Sequence, residues 1–271
     1  MNNPDVPERF VDEKLASHWQ VDETEESFRR LMEHLEVTSN FKPYFEEALS
    51  RLLPRCHPRP GAGGMIVLDV GSGVSWTSAL LAHNAAVRHV YSVEPSRERQ
   101  KHAEFVLRHF RVPKDKVTLL AGSFSDFTIP EKADCAVLCA SFHHCHDEYA
   151  DSLFCRIKNL LVPGGVILVA NEHYVDFRFS MHRFFSFWKN VIKKEEVFYS
   201  LSNLRAPYPH DGEHWRTRRE LKRIFMRNGF KPEFFVHAGD LCKEDMPFYR
   251  KTGYHYYHAI LKYNSGRVDE G

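Results

Sequence analysis

The hydrophobic pattern changes character twice along the chain. Over residues 1–60 it has a helical period: Phe28, Leu31, Met32 and Leu35 fall at i, i+3, i+4 and i+7, and Phe45, Ala48, Leu49 and Leu52 repeat that spacing. Proline and glycine interrupt it at residues 54–64, which read as a linker. Short, nearly continuous apolar runs then alternate with helical stretches. The runs predict strands at 65–70, 87–93, 117–121, 134–140 and 166–171. Between them, helices are expected at 76–83, after Ser96 (with Ala103, Val106, Leu107 and Phe110 on one face) and at 149–161, the last stopped by Pro163, Gly164 and Gly165. Apolar strands separated by helices mean a parallel sheet covered on both faces, an α/β fold.

The second change comes at Glu172. Residues 172–216 are long, aromatic and only partly helical. A clear helix at 217–228 and two strands, 231–236 and 254–261, follow. The expected organisation is a helical cap at 1–60 and one domain at 61–271, carrying an insertion at 172–216. An insertion of that length in a compact domain has the character of a lid over a site.

Composition narrows the partners. The 37 basic and 36 acidic residues leave a net charge of +1, without the basic excess that nucleic-acid binding calls for. Hydrophobic residues at 43% and aromatics at 13% support a sizeable core. None of the 6 cysteines forms a C-x-x-C pair, so no zinc ribbon or thiol redox site is implied, and Cys135 and Cys139 read as reduced core residues. Residues 1–10 are polar and lack the apolar core of a signal peptide. No apolar run nears the roughly 20 residues that cross a bilayer. The expectation is a soluble, cytoplasmic protein with no nucleic-acid or membrane partner, and a homo-oligomer is left open.

The sharpest local signal is the run Val67, Leu68, Asp69, Val70, Gly71, Ser72, Gly73, Val74, Ser75, a strand entering a glycine turn ahead of a helix. Glycines there let backbone approach a ligand closely, and the helix N-terminus offers free N–H groups. Glu94 ends the next strand, where an acid can accept hydrogen bonds from ribose hydroxyls. A dinucleotide fold needs a small residue at the sixth position of such a turn, counted from its first glycine. Trp76 at that place argues against a nicotinamide oxidoreductase.

The run resembles motif I of the class I S-adenosylmethionine methyltransferases, departing from it at Ser75. Later segments are similar to the family's in the same order: Glu94-Pro95, Gly122-Ser123-Phe124 after the third strand, Asp134 to Leu138 followed by Ser141-Phe142-His143-His144, and Leu160 to Gly165 before the fifth strand. The likeness implies a Rossmann-like, doubly wound seven-stranded sheet with its last strand antiparallel. It also implies S-adenosylmethionine as cofactor, held by Asp69, Gly71, Ser72, Gly73, Glu94, Pro95, Ser123, Phe124 and Ser141. Ser123 stands where members often carry an acid; Asp126 is the alternative.

The likeness puts the acceptor above strands four and five. His143, His144, His146, Asp147, Glu172 and His173 cluster there in sequence, and His210, Asp211, Glu213 and His214 follow in the insertion. A histidine titrates near neutrality and a buried glutamate can be raised towards it. Glu172, His144 and His173 are therefore the expected catalytic or acceptor-orienting groups. His143 reads instead as a helix or cofactor contact. Tyr174, Trp188, His210 and His214 are the expected acceptor contacts, within an aromatic wall. The spacings of these histidines match no metal motif, and no metal is expected. The expected activity is methyl transfer to a small organic acceptor, in biosynthesis. The other readings are an RNA or protein methyltransferase, against which the absence of an N/D-P-P-Y/F segment after strand four counts, and a non-catalytic cofactor-binding scaffold.

Overall fold

A computed structural model describes residues 21–57, 61, 63–197, 199–205, 213–235 and 252–263. Its centre is a seven-stranded sheet in the order β3-β2-β1-β4-β5-β7-β6. The strands are β1 (Met65–Val70), β2 (Val87–Glu94), β3 (Val117–Ala121), β4 (Ala133–Cys139), β5 (Leu161–Val175), β6 (Phe230–Phe235) and β7 (Tyr254–Tyr263). The first five run parallel, and β7 is antiparallel to both β5 and β6.

The near-continuous apolar strands arise because both sheet faces are buried. All of β1 is buried, and its side chains alternate between faces. Ile66, Leu68 and Val70 join one core with Leu153, Phe154 and Ile157 of α5 (Asp147–Leu160) and with Leu221 and Phe225 of α7 (Arg218–Arg227). Met65 and Val67 join the other. That second core contains Leu31 of α1 (Glu25–Glu33), Phe45, Ala48 and Leu52 of α2 (Phe41–Leu52), Trp76 and Leu81 of α3 (Trp76–His83) and Phe105 of α4 (Arg97–His109). The amino-terminal helices thus complete one layer of the sandwich. Trp76, too large for a dinucleotide turn, meets Phe45 edge-on at 5.5 Å.

Local signals set most element ends. Ser96 accepts from the Arg99 amide at 3.2 Å and opens α4. Thr217 and Glu220 form a reciprocal capping box on α7, an arrangement that stabilises a helix start by about 1 kcal/mol.

The fifth strand departs from expectation. It begins at Leu161, runs through the Pro-Gly-Gly turn and ends at Val175 rather than at residue 171. The pairing with β7 slips between Val169 and Glu172, and Asn171 takes the left-handed conformation at φ 50°. That bulge hides the continuing strand from its apolar pattern. Glu172, His173 and Tyr174 are consequently strand residues with fixed directions. Beyond them, α6 (Phe177–Lys193) is capped by Asp176, and residues 213–217 return beside β5 through a bridge between Val175 and Thr217.

Candidate active site

The glycine turn leaves the tip of β1. Gly71 at φ 70° and Gly73 at φ 58° occupy the left-handed region, where a side chain is strained. A Cβ at Gly71 would lie 2.7 Å from that of Ser141, whereas at Gly73 it would meet open space. Ser75, in the place of the motif's last glycine, is left-handed as well at φ 61°, and its buried hydroxyl is tied to that of Ser92 at 2.8 Å. The Gly71 and Ser72 amides donate to the Val93 carbonyl at 2.8 and 3.0 Å, which joins the turn to the end of β2.

Glu94 sits at that end, 2% exposed. Its carboxylate accepts from the Gly73 amide at 2.9 Å and from the Ser96 amide at 3.1 Å. Burial pushes its pKa up, opposed by the guanidinium of Arg99 at 3.8 Å. Asp69 lies beneath the turn. Its Oδ2 accepts from Thr77 and Ser78 at 2.6 Å each, and Oδ1 has no partner among the described residues. Burial raises its pKa to about 6 against the pull of the two hydroxyls. Pro95 is half-buried at the head of α4. The Phe124 ring lies 3.6 Å from where a Gly71 Cβ would be. Ser123 donates from its amide and hydroxyl to Asp126 Oδ1 at 2.5 and 2.8 Å, so the carboxylate missing at 123 is held beside it.

An open backbone cradle, a carboxylate at the end of the next strand and an orphaned carboxylate oxygen fit a nucleoside-bearing cofactor with a cationic tail. Gly71, Gly73, Glu94 and Asp69 are the residues that would hold it.

Ser141 connects this cradle to a second group of residues. Its hydroxyl donates to the Val70 carbonyl at 3.0 Å, and its amide donates to Glu172 Oε1 at 2.7 Å. Glu172, 1% exposed, also accepts from the amides of Phe142 (2.6 Å) and His143 (3.1 Å) and from His143 Nδ1 (3.0 Å). One carboxylate thus shapes the turn after β4 and fixes an imidazole. Burial pulls the His143 pKa down, but the Glu172 charge outweighs it and the net shift is upward.

Around that pair the chain assembles rings from distant segments. His143 lies 4.1 Å from His144 and 4.8 Å from His173. His173 stacks on Tyr254 at 4.7 Å and meets Trp215 at 4.9 Å. His214 lies 4.3 Å from His146, and its amide donates to the His143 carbonyl at 2.8 Å. His173 Nε2, His214 Nε2 and Trp215 Nε1 are buried with no partner among the described residues. Burial and the neighbouring histidines hold His173 well below its usual value, and burial with Arg216 and His146 lowers His214 to about 4. Both imidazoles are neutral at pH 7.

Arg216 ties this arrangement together. It is 5% exposed, donates to Asp147 at 2.8 Å and to the Phe142 carbonyl at 3.3 Å, also reaches the Cys145 carbonyl, and lies 4.9 Å over the Phe142 ring. It clamps the 142–147 turn. The other expected acceptor contacts separate. Tyr174 points to the opposite face of β5 from His173 and stacks on His255 at 4.9 Å. Trp188 lies on the outer side of α6, 45% exposed. His210 falls outside the described residues. The roles of His143, Trp215, Arg216 and Tyr254 leave no spacing signature, because each contact joins segments far apart in the chain. Among the described residues no three His, Cys, Asp or Glu side chains are grouped as a metal site requires.

The sheet order, the reversed last strand and the cradle at the carboxyl ends of β1 and β2 define the class I methyltransferase fold. The comparisons agree. A family model for a methyltransferase domain matches residues 67–165. An uncharacterized methyltransferase of Bacillus cytotoxicus is 26% identical over 204 residues, 75% of this chain and 82% of its own. Geranyl diphosphate C-methyltransferase of Streptomyces coelicolor, solved with S-adenosyl-L-homocysteine, aligns with a TM-score of 0.56 at 14% identity, covering 91% of this chain and 87% of that one. The small RNA methyltransferase HEN1 aligns at 0.54 and 16% identity, over 83% of this chain and 25% of that one. The structural neighbours carry the fold, and their acceptors differ. The chain carries the class I methyltransferase fold, with a methyltransferase domain matched over residues 67–165, and S-adenosylmethionine is the cofactor that this fold and cradle imply.

Proposed function

We propose that this methyltransferase acts on a small organic acceptor, bound beside the histidine cluster and covered by the insertion as a lid. The observation that carries the reading is the Glu172–His143 pair. Through Ser141 it abuts the glycine cradle, so a proton acceptor stands next to the donor site. The near-neutral charge of the chain and the aromatic character of the cluster favour a small molecule over RNA.

When bound, S-adenosylmethionine supplies a methyl group already activated on a sulfonium. The chain's own part is to orient the acceptor, exclude water and take a proton. His143 is the group best arranged for the last task. Glu172 holds Nδ1 as the N–H tautomer, which leaves Nε2 for the acceptor's hydroxyl or amine. The proton passes to Nε2, and the adjoining carboxylate stabilises the imidazolium. Glu172 thus acts through His143. Buried and neutral, His173 serves as an orienting partner through its free Nε2, with Trp215 Nε1 beside it; His144 packs on the base.

The test is partition of label. The protein is incubated with methyl-labelled S-adenosylmethionine and, separately, with small-molecule, RNA and protein fractions of cells. Label is expected in the small-molecule fraction, falling about 100-fold or more in His143→Asn while binding of S-adenosylhomocysteine is retained. Label confined to RNA or protein would overturn the acceptor class, and full turnover by His143→Asn would overturn the base.

A further inference from the structure

Helix α6 is amphipathic in an unusual sense, since its apolar stripe faces away from the protein. Phe177, Met181, Phe184, Phe185, Trp188, Val191 and Ile192 recur at i, i+4, i+7, i+8, i+11, i+14 and i+15, a single helical face. They are between 40% and 79% exposed. The reverse face is firmly seated. Phe179 meets Trp215 at 5.1 Å, and Arg183, 3% exposed, lies 4.0 Å over Tyr199 and donates to the Leu204 carbonyl at 3.2 Å. The Tyr199 hydroxyl donates back to the Arg183 carbonyl at 2.8 Å. Turning the stripe inward would break these contacts, so its outward direction is built into the fold.

Charge selects the occupant. From Phe177 through the C-cap Lys194 the helix carries Arg178, Arg183, Lys189, Lys193 and Lys194 and no acid. Asp176 matches Arg178 at 2.6 Å, Glu195 approaches Lys193 at 3.6 Å, and Arg183 is turned inward. Lys189 and Lys194 remain exposed without an ion pair among the described residues. A basic edge beside an aromatic stripe is the composition of a helix that lies in a membrane interface, its rings in the acyl boundary and its lysines at anionic headgroups. Two copies packed stripe to stripe would instead bring these cations together. No described helix is long and apolar enough to cross a membrane. A 17-residue helix, about 25 Å long, suits a position parallel to the surface.

We propose that α6 docks the protein on an anionic lipid surface. This departs from the expectation of no membrane partner, which rested on the absence of a spanning segment; here the chain lies on the bilayer rather than through it. The inner face of the same helix touches Trp215, which stands against His173, so docking brings the acceptor pocket's wall to the bilayer.

The test is co-sedimentation of the full chain with vesicles of phosphatidylcholine alone and of phosphatidylcholine with phosphatidylglycerol at roughly three to one. The wild-type protein is expected to pellet with the mixed vesicles, with a blue shift in tryptophan emission, and to stay in the supernatant with the neutral ones. The double variant Phe185→Glu, Ile192→Glu should lose pelleting at least tenfold with S-adenosylhomocysteine affinity unchanged, which keeps this outcome separate from the methyltransferase reading. Absence of pelleting with either vesicle overturns the proposal. Equal pelleting with both overturns the anionic preference. A solution dimer that the double variant dissociates, without vesicle binding, assigns the stripe to a second copy instead.

Discussion

At the scale of single residues, Glu172 and His143 show how position in the fold bears on a sequence expectation. Glu172 stands in a polar cluster at a strand end and reads as a base. The fold spends its oxygens on three backbone amides and the His143 ring, which in the proposed mechanism makes it a positioning group and leaves proton transfer to the imidazole. The pH dependence follows. Burial lowers the His143 pKa and the Glu172 carboxylate more than offsets it, so the folded value lies above 6.5. The free imidazole that the proposed mechanism needs therefore appears only as pH rises through that value, and the acid limb of kcat is expected above pH 6.5. In Glu172→Gln burial acts unopposed by this charge, and the limb should move below pH 6.5. For stability the sign is opposite: the pair's contribution is complete below 6.5 and is lost as pH climbs through the raised value. A pH–rate profile of both proteins decides the matter, and an acid limb unmoved by Glu172→Gln contradicts the pairing.

Elements that announce themselves by period alone were legible. The strands at β1 to β4 and the helices after Ser96 and Thr217 follow from apolar runs and caps, and the cradle followed from glycines and one acid at the right strand ends. What stayed hidden depends on long-range contact. The Asn171 bulge interrupts the apolar pattern of β5, so its last four residues read as insertion. Arg216 gives no local signal, because its carbonyl partners at Phe142 and Cys145 lie far from it in the chain. Its role gives an expectation at this scale. Arg216→Met removes charged hydrogen bonds from buried carbonyls and frees the 142–147 turn, costing about 2–4 kcal/mol. Chemical denaturation should report that loss. A loss below about 0.5 kcal/mol would mean that the turn is held by Glu172 alone.

At the scale of the whole molecule, the division into a cap at 1–60 and a catalytic domain at 61–271 becomes a question of cooperativity. The two parts share one core, in which Leu31, Phe45 and Leu52 pack with Met65, Val67 and Trp76. Polar ties reinforce it: Asn171 donates to the Phe41 carbonyl at 2.9 Å, Arg55 pairs with Glu233 at 2.6 Å and Arg51 lies 4.7 Å over the Phe235 ring. Removing the helices would uncover the Trp76 face of α3 and the sheet beneath it. Burying one aromatic or aliphatic side chain is worth roughly 1.5–3 kcal/mol. Several such side chains cross this boundary, so their sum rivals the 5–15 kcal/mol or so by which an entire domain is stable. The helices and the sheet are therefore expected to unfold together, as a single calorimetric transition whose van't Hoff and calorimetric enthalpies agree. Because Trp76 follows directly on the glycine cradle, binding S-adenosylhomocysteine should raise that one transition as a unit. Two separable transitions, with only the second moved by ligand, would show instead that the cap is an independent module resting on a self-sufficient sheet.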